Sequence, residues 1–171
     1  YKAEAREEKS FPDVVVFKPV DVKAAAAKEG PLPVLVYANG GCNDTSLPHE
    51  RMITETASHG YIVIALGSMQ NTIDDRPLKK SPNEQMLQAM DWIAAQNADK
   101  KSDYYGSVDI RRIAVGGQSC GGAQALANAG DPRVKTVIMM NSGMGNNEMS
   151  GASSESLKAL HCPIVYIEGG P

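Results

Sequence analysis

No stretch of this sequence concentrates basic residues. Lys and Arg number 17 against 20 Asp and Glu, a net charge of -3, so an ordinary solvated surface is expected rather than a nucleic-acid face. No apolar run approaches the roughly 20 residues that a membrane span needs. The first ten residues, rich in Lys, Glu and Arg, do not read as a signal peptide, which leaves open a leader removed before this numbering begins. Cysteine is scarce: Cys42, Cys120 and Cys162 lack the close pairing of a zinc site and are too few for a disulfide scaffold, so they leave the compartment undecided. Internal repeats and low-complexity tracts are missing too. What remains is a chain of 171 residues, 42% hydrophobic, enough for one domain with a sizeable core and too short for a large multidomain enzyme.

The apolar residues fall into short unbroken runs. Val14 to Phe17 reads as a strand stopped by Pro19, after charged residues 1 to 10 that are frayed or edge structure. The alanine run within 21 to 30 lies between that strand and Pro31-Leu32-Pro33 and reads as a surface connection. Val34 to Tyr37 and Tyr61 to Ala65 are strands buried on both faces, with a helical segment from about Leu47 to His59 between them. Residues 67 to 80 have no clean periodicity, and a loop that long is more often functional than accidental. Ser81-Pro82-Asn83-Glu84 reads as a capping box opening a helix whose Met86, Met90 and Ile93 share one face, with Trp92 a packing anchor. Ile113 to Val115, Val134 to Met140 and Pro163 to Ile167 complete the strands, separated by helices to about Asn128 and from Ser154 to Leu160. Strands alternating with helices predict an α/β fold, a mostly parallel sheet covered by helices on both faces.

In such sheets reactive groups collect where strands end. Ile113-Ala114-Val115-Gly116-Gly117-Gln118-Ser119-Cys120-Gly121-Gly122 is a strand, a bend walled by glycine, and a helix start. A serine on such a bend is held in a strained conformation, and Cβ atoms two positions away would collide, which explains Gly117 and Gly121. Ser119 is therefore the candidate nucleophile, against the plainer reading of a tight turn with a capping serine. Asn39-Gly40-Gly41-Cys42 ends an earlier strand, where N–H groups of the loop, with that of Cys120, are suited to an oxyanion hole. A permissive strand-to-helix turn is the plainer alternative. Met69, Gln70 and Met144 lie in loops able to line a pocket.

Leu-Pro-Val-Leu-Val-Tyr-Ala-Asn-Gly-Gly-Cys together with Arg-Ile-Ala-Val-Gly-Gly-Gln-Ser-Cys-Gly-Gly resembles the α/β-hydrolase superfamily, nearest its dienelactone hydrolase, chlorophyllase and polyester-hydrolase-like branch. The similarity extends over about residues 11 to 171 and takes in Ala57 to Ala65 and Val108 to Val115. It implies Ser119 as nucleophile and two oxyanion donors, the Cys120 N–H and an N–H within Gly41 to Cys42. It implies a single hydrolase domain over residues 1–171 that lacks a closing strand and helix, because the family acid lies a few residues beyond a turn like Gly169-Gly170 and the histidine further on. It points weakly to an extracellular or periplasmic location, and implies no metal or organic cofactor.

A serine hydroxyl needs a base, and the base needs a partner that fixes its tautomer. His59 and His161 both precede their strands, at the wrong edge of the sheet. His49 follows the oxyanion loop at the correct edge and is the only local substitute. Glu168, at the end of the final strand, is the first acid candidate and Glu148 the second. Cys42 and Cys120 each follow a glycine motif facing one site; a disulfide bracing the oxyanion hole, two buried thiols and a thiol relay all stay open, since spacing does not establish bond geometry. The leading expectation is a serine hydrolase acting on a small-molecule carboxylic ester, its triad completed beyond residue 171 by a complementing C-terminal segment. The alternative is a non-catalytic hydrolase-fold module that binds a small acyl compound or a protein partner. Without the last strand a sheet edge would be exposed, and the 171-residue piece is expected to be poorly soluble alone.

Overall fold

The apolar runs become the strands of one seven-stranded sheet. The computed structural model describes residues 1–69, 77–144 and 150–170. In chain order the elements are β1 (Ala3–Glu8), β2 (Phe11–Pro19), α1 (Val22–Glu29), β3 (Leu32–Ala38), α2 (Glu50–Ser58), β4 (Ile62–Leu66), α3 (Glu84–Ala98), β5 (Val108–Gln118), α4 (Cys120–Ala127), β6 (Val134–Met140), α5 (Ser154–Lys158) and β7 (Ile164–Ile167). The sheet order is β1-β2-β4-β3-β5-β6-β7. From β4 to β7 neighbouring strands are parallel, whereas β1 and β2 join antiparallel at one edge. The expected α/β architecture is therefore present, a mostly parallel mixed sheet flanked by helices.

Alternation along each strand divides the core in two. Val14, Val16, Val34, Val36, Ile62 and Ile64 pack on the face covered by α1, α3 and α4, where Met86, Met90 and Ile93 are fully buried. Val15, Phe17, Leu35, Tyr37, Val63 and Ala65 pack on the opposite face against Ile53 and Ala57 of α2. Each Val, Leu, Ile, Met or Phe side chain among them contributes about 1.5–3 kcal/mol when fully buried. Trp92 stacks on Phe11 at 5.8 Å between ring centroids and donates its indole N–H to Ser10 Oγ at 3.1 Å, a packing anchor as its position suggested.

Three local readings change. Residues 22–29 are a helix, because Asp21 caps it, its Oδ1 accepting the Ala24 N–H at 2.8 Å, and alanine is the strongest helix former. Gly30, at φ 82°, ends it. The capping box at Ser81 does not form: helix α3 starts at Glu84, and the Ser81 hydroxyl is buried without a hydrogen-bond partner. The Ser81 backbone is engaged elsewhere, its N–H on the Cys42 carbonyl at 2.9 Å and its carbonyl on Gln124 Nε2 at 2.8 Å. The segment expected as one helix from Leu47 is a 3-10 turn over Leu47–His49 followed by α2. β7 stands at the end of the sheet order, and its Val165, Tyr166 and Ile167 are 43%, 51% and 48% exposed.

The chain leaving β4 and the chain approaching α3 meet at one place. The Ser68 N–H donates to the Asp44 carbonyl at 3.0 Å, and the Asp44 N–H donates to the Lys79 carbonyl at 3.0 Å. The Lys79 N–H closes the clasp on Asp44 Oδ1 at 2.8 Å.

Candidate active site

Strands β3 and β5 are parallel neighbours, yet the chain continues from β3 to β4 on one side and from β5 to β6 on the other. Ligands collect in the crevice at such a switch point, beyond the carboxyl ends of the strands. Ala38 pairs with Gly117 in register, so the loop after β3 and the bend after β5 emerge side by side.

Ser119 sits at that bend with φ 53° and ψ -122°, a left-handed conformation unusual for a residue with a side chain. Its N–H donates to the Met140 carbonyl at 2.9 Å, and its carbonyl accepts the Gly122 N–H at 3.0 Å as α4 begins. The glycines flanking it are needed sterically. A Cβ on Gly121 would run into the Ala38 carbonyl, and one on Gly117 into the backbone of Gly121 and Ala38. The side chain is thus held out at the head of α4, whose first N–H groups point out of the helix along its axis.

A cavity of about 560 Å³ opens over this serine, walled by Gly41, Ser119, Cys120, Asn141, Ser142 and Glu168, with Ala123, Gly143, Met144 and Ser150. Gly41, Cys120 and Glu168 line the same cavity as Ser119. Cys42 does not reach the wall: it is fully buried, and its N–H donates to the Asn39 carbonyl at 3.1 Å. Its sulfur is bonded to that of Cys120, with 5.1 Å between the Cα atoms, which settles the three-way choice for these cysteines in favour of the disulfide. Cys162 is the free thiol, raised above its ordinary pKa by burial. The loop is held further by Lys80, whose ammonium donates to the Gly41 carbonyl at 2.7 Å and to Asn43 Oδ1 at 2.8 Å.

No histidine lines the cavity among the described residues. His59 is exposed and faces Glu55, Nε2 to Oε1 3.1 Å, and His161 is exposed on the far side of its strand's start. His49 lies edge-on against the Tyr37 ring, 5.4 Å between centroids, and burial lowers its pKa below the ordinary histidine value. Met144 joins the wall, whereas Met69 packs against the core cluster on the α2 side of the sheet. Gln70 and Glu148 lie outside the described residues. The residues that sequence reasoning passed over are Asn141 and Ser142, although their place just past the end of β6, beside β5, is the signal that could have marked them. Among the described residues no group of three or more His, Cys, Asp or Glu is arranged to hold a metal, and no helix is long and apolar enough to cross a membrane.

Comparison with known proteins gives a consistent direction. A family model described as PET hydrolase-like matches residues 43–157, more than half of the chain. Among curated proteins, the hydrolase ffsE of Aspergillus flavipes is 32% identical over 116 residues, covering 64% of this chain and 25% of that protein. The chain therefore spans about a quarter of the length of the curated relative it matches.

Proposed function

The chain belongs to the PET hydrolase-like family, an α/β-hydrolase family, and we propose that it cleaves a carboxylic ester through an acyl-enzyme on Ser119. The observation that carries this reading is the strained Ser119, at φ 53° on the head of α4, opening into a cavity that Gly41 and Cys120 also wall. Ser119 Oγ attacks the ester carbonyl carbon, and its proton passes to a base. The carbonyl oxygen takes up negative charge, which the N–H groups of Gly41 and Cys120 stabilise; one lost side-chain donor at such a site typically costs about 2.7–4 kcal/mol. The leaving alcohol departs with the proton as the acyl bond to Oγ is completed. Water then hydrolyses that bond and returns the proton to Oγ. Cys42 contributes through its disulfide, which ties the loop carrying Gly41 to the residue after the nucleophile.

The base is assigned to sequence outside these 171 residues, since all three histidines lie among the described residues and none reaches the cavity. Glu168, on the cavity wall, is the acid candidate within the chain. Residues 1–171 then form one hydrolase domain with a further segment that packs on the exposed side of β7. No metal or organic cofactor enters this scheme. Labelling of the complete protein with a fluorophosphonate, followed by peptide mass spectrometry, is expected to place the adduct on Ser119; an unlabelled Ser119 overturns the reading.

The lack of histidine at the cavity favours one rival, a non-catalytic module that binds a small acyl compound or a protein partner in the same cavity. That rival gains if the complete protein binds short-chain acyl compounds in calorimetry without hydrolysing p-nitrophenyl acetate, and it fails if Ser119→Ala abolishes a measurable esterase rate.

A further inference from the structure

Building on the reading of Ser119 as nucleophile, we infer that Ser142 is a positioning residue that aims the Cys120 N–H at the reacting carbonyl. Ser142 lies two residues past the end of β6, where the chain bends sharply at Asn141, a residue with φ 43°. That bend is anchored from β7 and the residues after it: the Asn141 N–H donates to the Ile167 carbonyl at 2.8 Å, and Asn141 Oδ1 accepts the Gly169 N–H at 2.6 Å. The bend delivers the Ser142 hydroxyl to the Ser119 carbonyl oxygen, to which it donates at 2.6 Å. The approach depends on Gly122, because a Cβ there would overlap the Ser142 side chain.

The Ser119 carbonyl and the Cys120 N–H are opposite ends of one planar peptide group, so whatever fixes the carbonyl also fixes where the N–H points. Two other donors reach this oxygen, the N–H groups of Gly122 at 3.0 Å and Ala123 at 3.3 Å, but both belong to the first turn of α4 itself. Among these three donors the hydroxyl alone comes from outside α4, from the segment that follows β6. It references the peptide plane to β6 and, through it, to the rest of the sheet. A donor on the carbonyl also polarises the amide and strengthens the N–H at its far end. Both effects grow in importance as negative charge develops on the substrate oxygen, so the hydroxyl's contribution is expected in kcat rather than in substrate binding.

The test uses the complete protein with Ser142→Ala and Ser142→Thr, rates on p-nitrophenyl acetate being normalised to sites titrated with the fluorophosphonate. Ser142→Ala is expected to lower kcat about three- to tenfold with KM held within about twofold, the size of one lost hydrogen bond. Its affinity for a phenylboronic acid, which forms a tetrahedral adduct on the serine, should fall by the same factor, and Ser142→Thr should restore both. Normalisation removes the effect of partial unfolding, so a change confined to melting temperature, with per-site kcat and boronate affinity as in wild type, overturns the assignment. If the wild-type protein is not labelled on Ser119 at all, the nucleophile reading falls and this one with it; normal labelling with an unaffected Ser142→Ala overturns the positioning role alone.

Discussion

Removing the Cys42–Cys120 bond is the perturbation whose cost can be worked most directly from the structure. The bonded residues are 78 positions apart. Constraining a loop of that length in the unfolded chain is worth about 4.5 kcal/mol at 25 °C in the chain-entropy model, and measured disulfides commonly deliver 2–4 kcal/mol. The Cα separation of 5.1 Å lies within the ordinary range, so native-state distortion is not expected to cancel the gain. For a folding unit of this size, each kcal/mol corresponds to about 2–4 °C in Tm, so the double variant Cys42→Ala/Cys120→Ala should melt about 5–15 °C lower. Alanine is the right replacement at Cys42, because the site is fully buried and serine would bring an additional hydroxyl into it. Urea titrations of the oxidised protein and the double variant give the comparison, with Cys162 retained in both as an internal control. The m-value should rise in the variant, whose unfolded state is no longer cross-linked and exposes more surface. A stability loss below about 1 kcal/mol, with m unchanged, would refute the argument that the bond acts through the unfolded chain.

Two further outcomes follow from close contacts at the same sheet edge. Gly121→Ala places a methyl group against the Ala38 carbonyl, a backbone atom that no side-chain rotation relieves, and should destabilise by about 1–3 kcal/mol or more in urea titration; a loss under about 0.5 kcal/mol means that α4 sits further from β3 than described. His49, its pKa lowered by burial, binds protons more readily when unfolded, so stability is full above the ordinary value of 6.5 and declines as the pH falls below it. His49→Phe should flatten that decline between pH 7.5 and 5.5 while retaining esterase activity within about twofold, and loss of activity in this variant would make His49 the base after all.

Much of the fold was legible because burial on both faces leaves an unmistakable trace. Val34 to Tyr37 and Ile62 to Ala65 are uninterrupted apolar runs, and both are central strands. The helix at 22–29 was harder to read, because only Ala25 and Val22 are buried in it and an alanine run has little periodicity to show. Ser81 misled for the opposite reason: the capping pattern is local, while the bonds that claim its backbone come from Cys42 and Gln124, distant in sequence. The site divides in the same way. Ser119 announces itself through the glycines that its backbone conformation requires. Ser142 has no such neighbourhood, since its hydroxyl acts on a carbonyl 23 residues earlier and only the sheet brings the two together. The cysteine pairing was undecidable from spacing, because 78 residues of chain say nothing about the distance between β3 and α4 until the sheet order is known.

The clasp on Asp44 carries a consequence for how this protein can be lengthened. Ser68 and Lys79 are both bonded to the same residue, so the ends of the segment between them are pinned together by contacts that the segment itself does not supply. Closing a longer loop between such pinned ends costs about 0.6 kcal/mol for each doubling of its length. An insertion between Met69 and Pro77 should therefore be tolerated by the sheet, and this position offers a place to graft a binding peptide or an affinity handle beside the loop that follows β3 without reshaping the strands that support it.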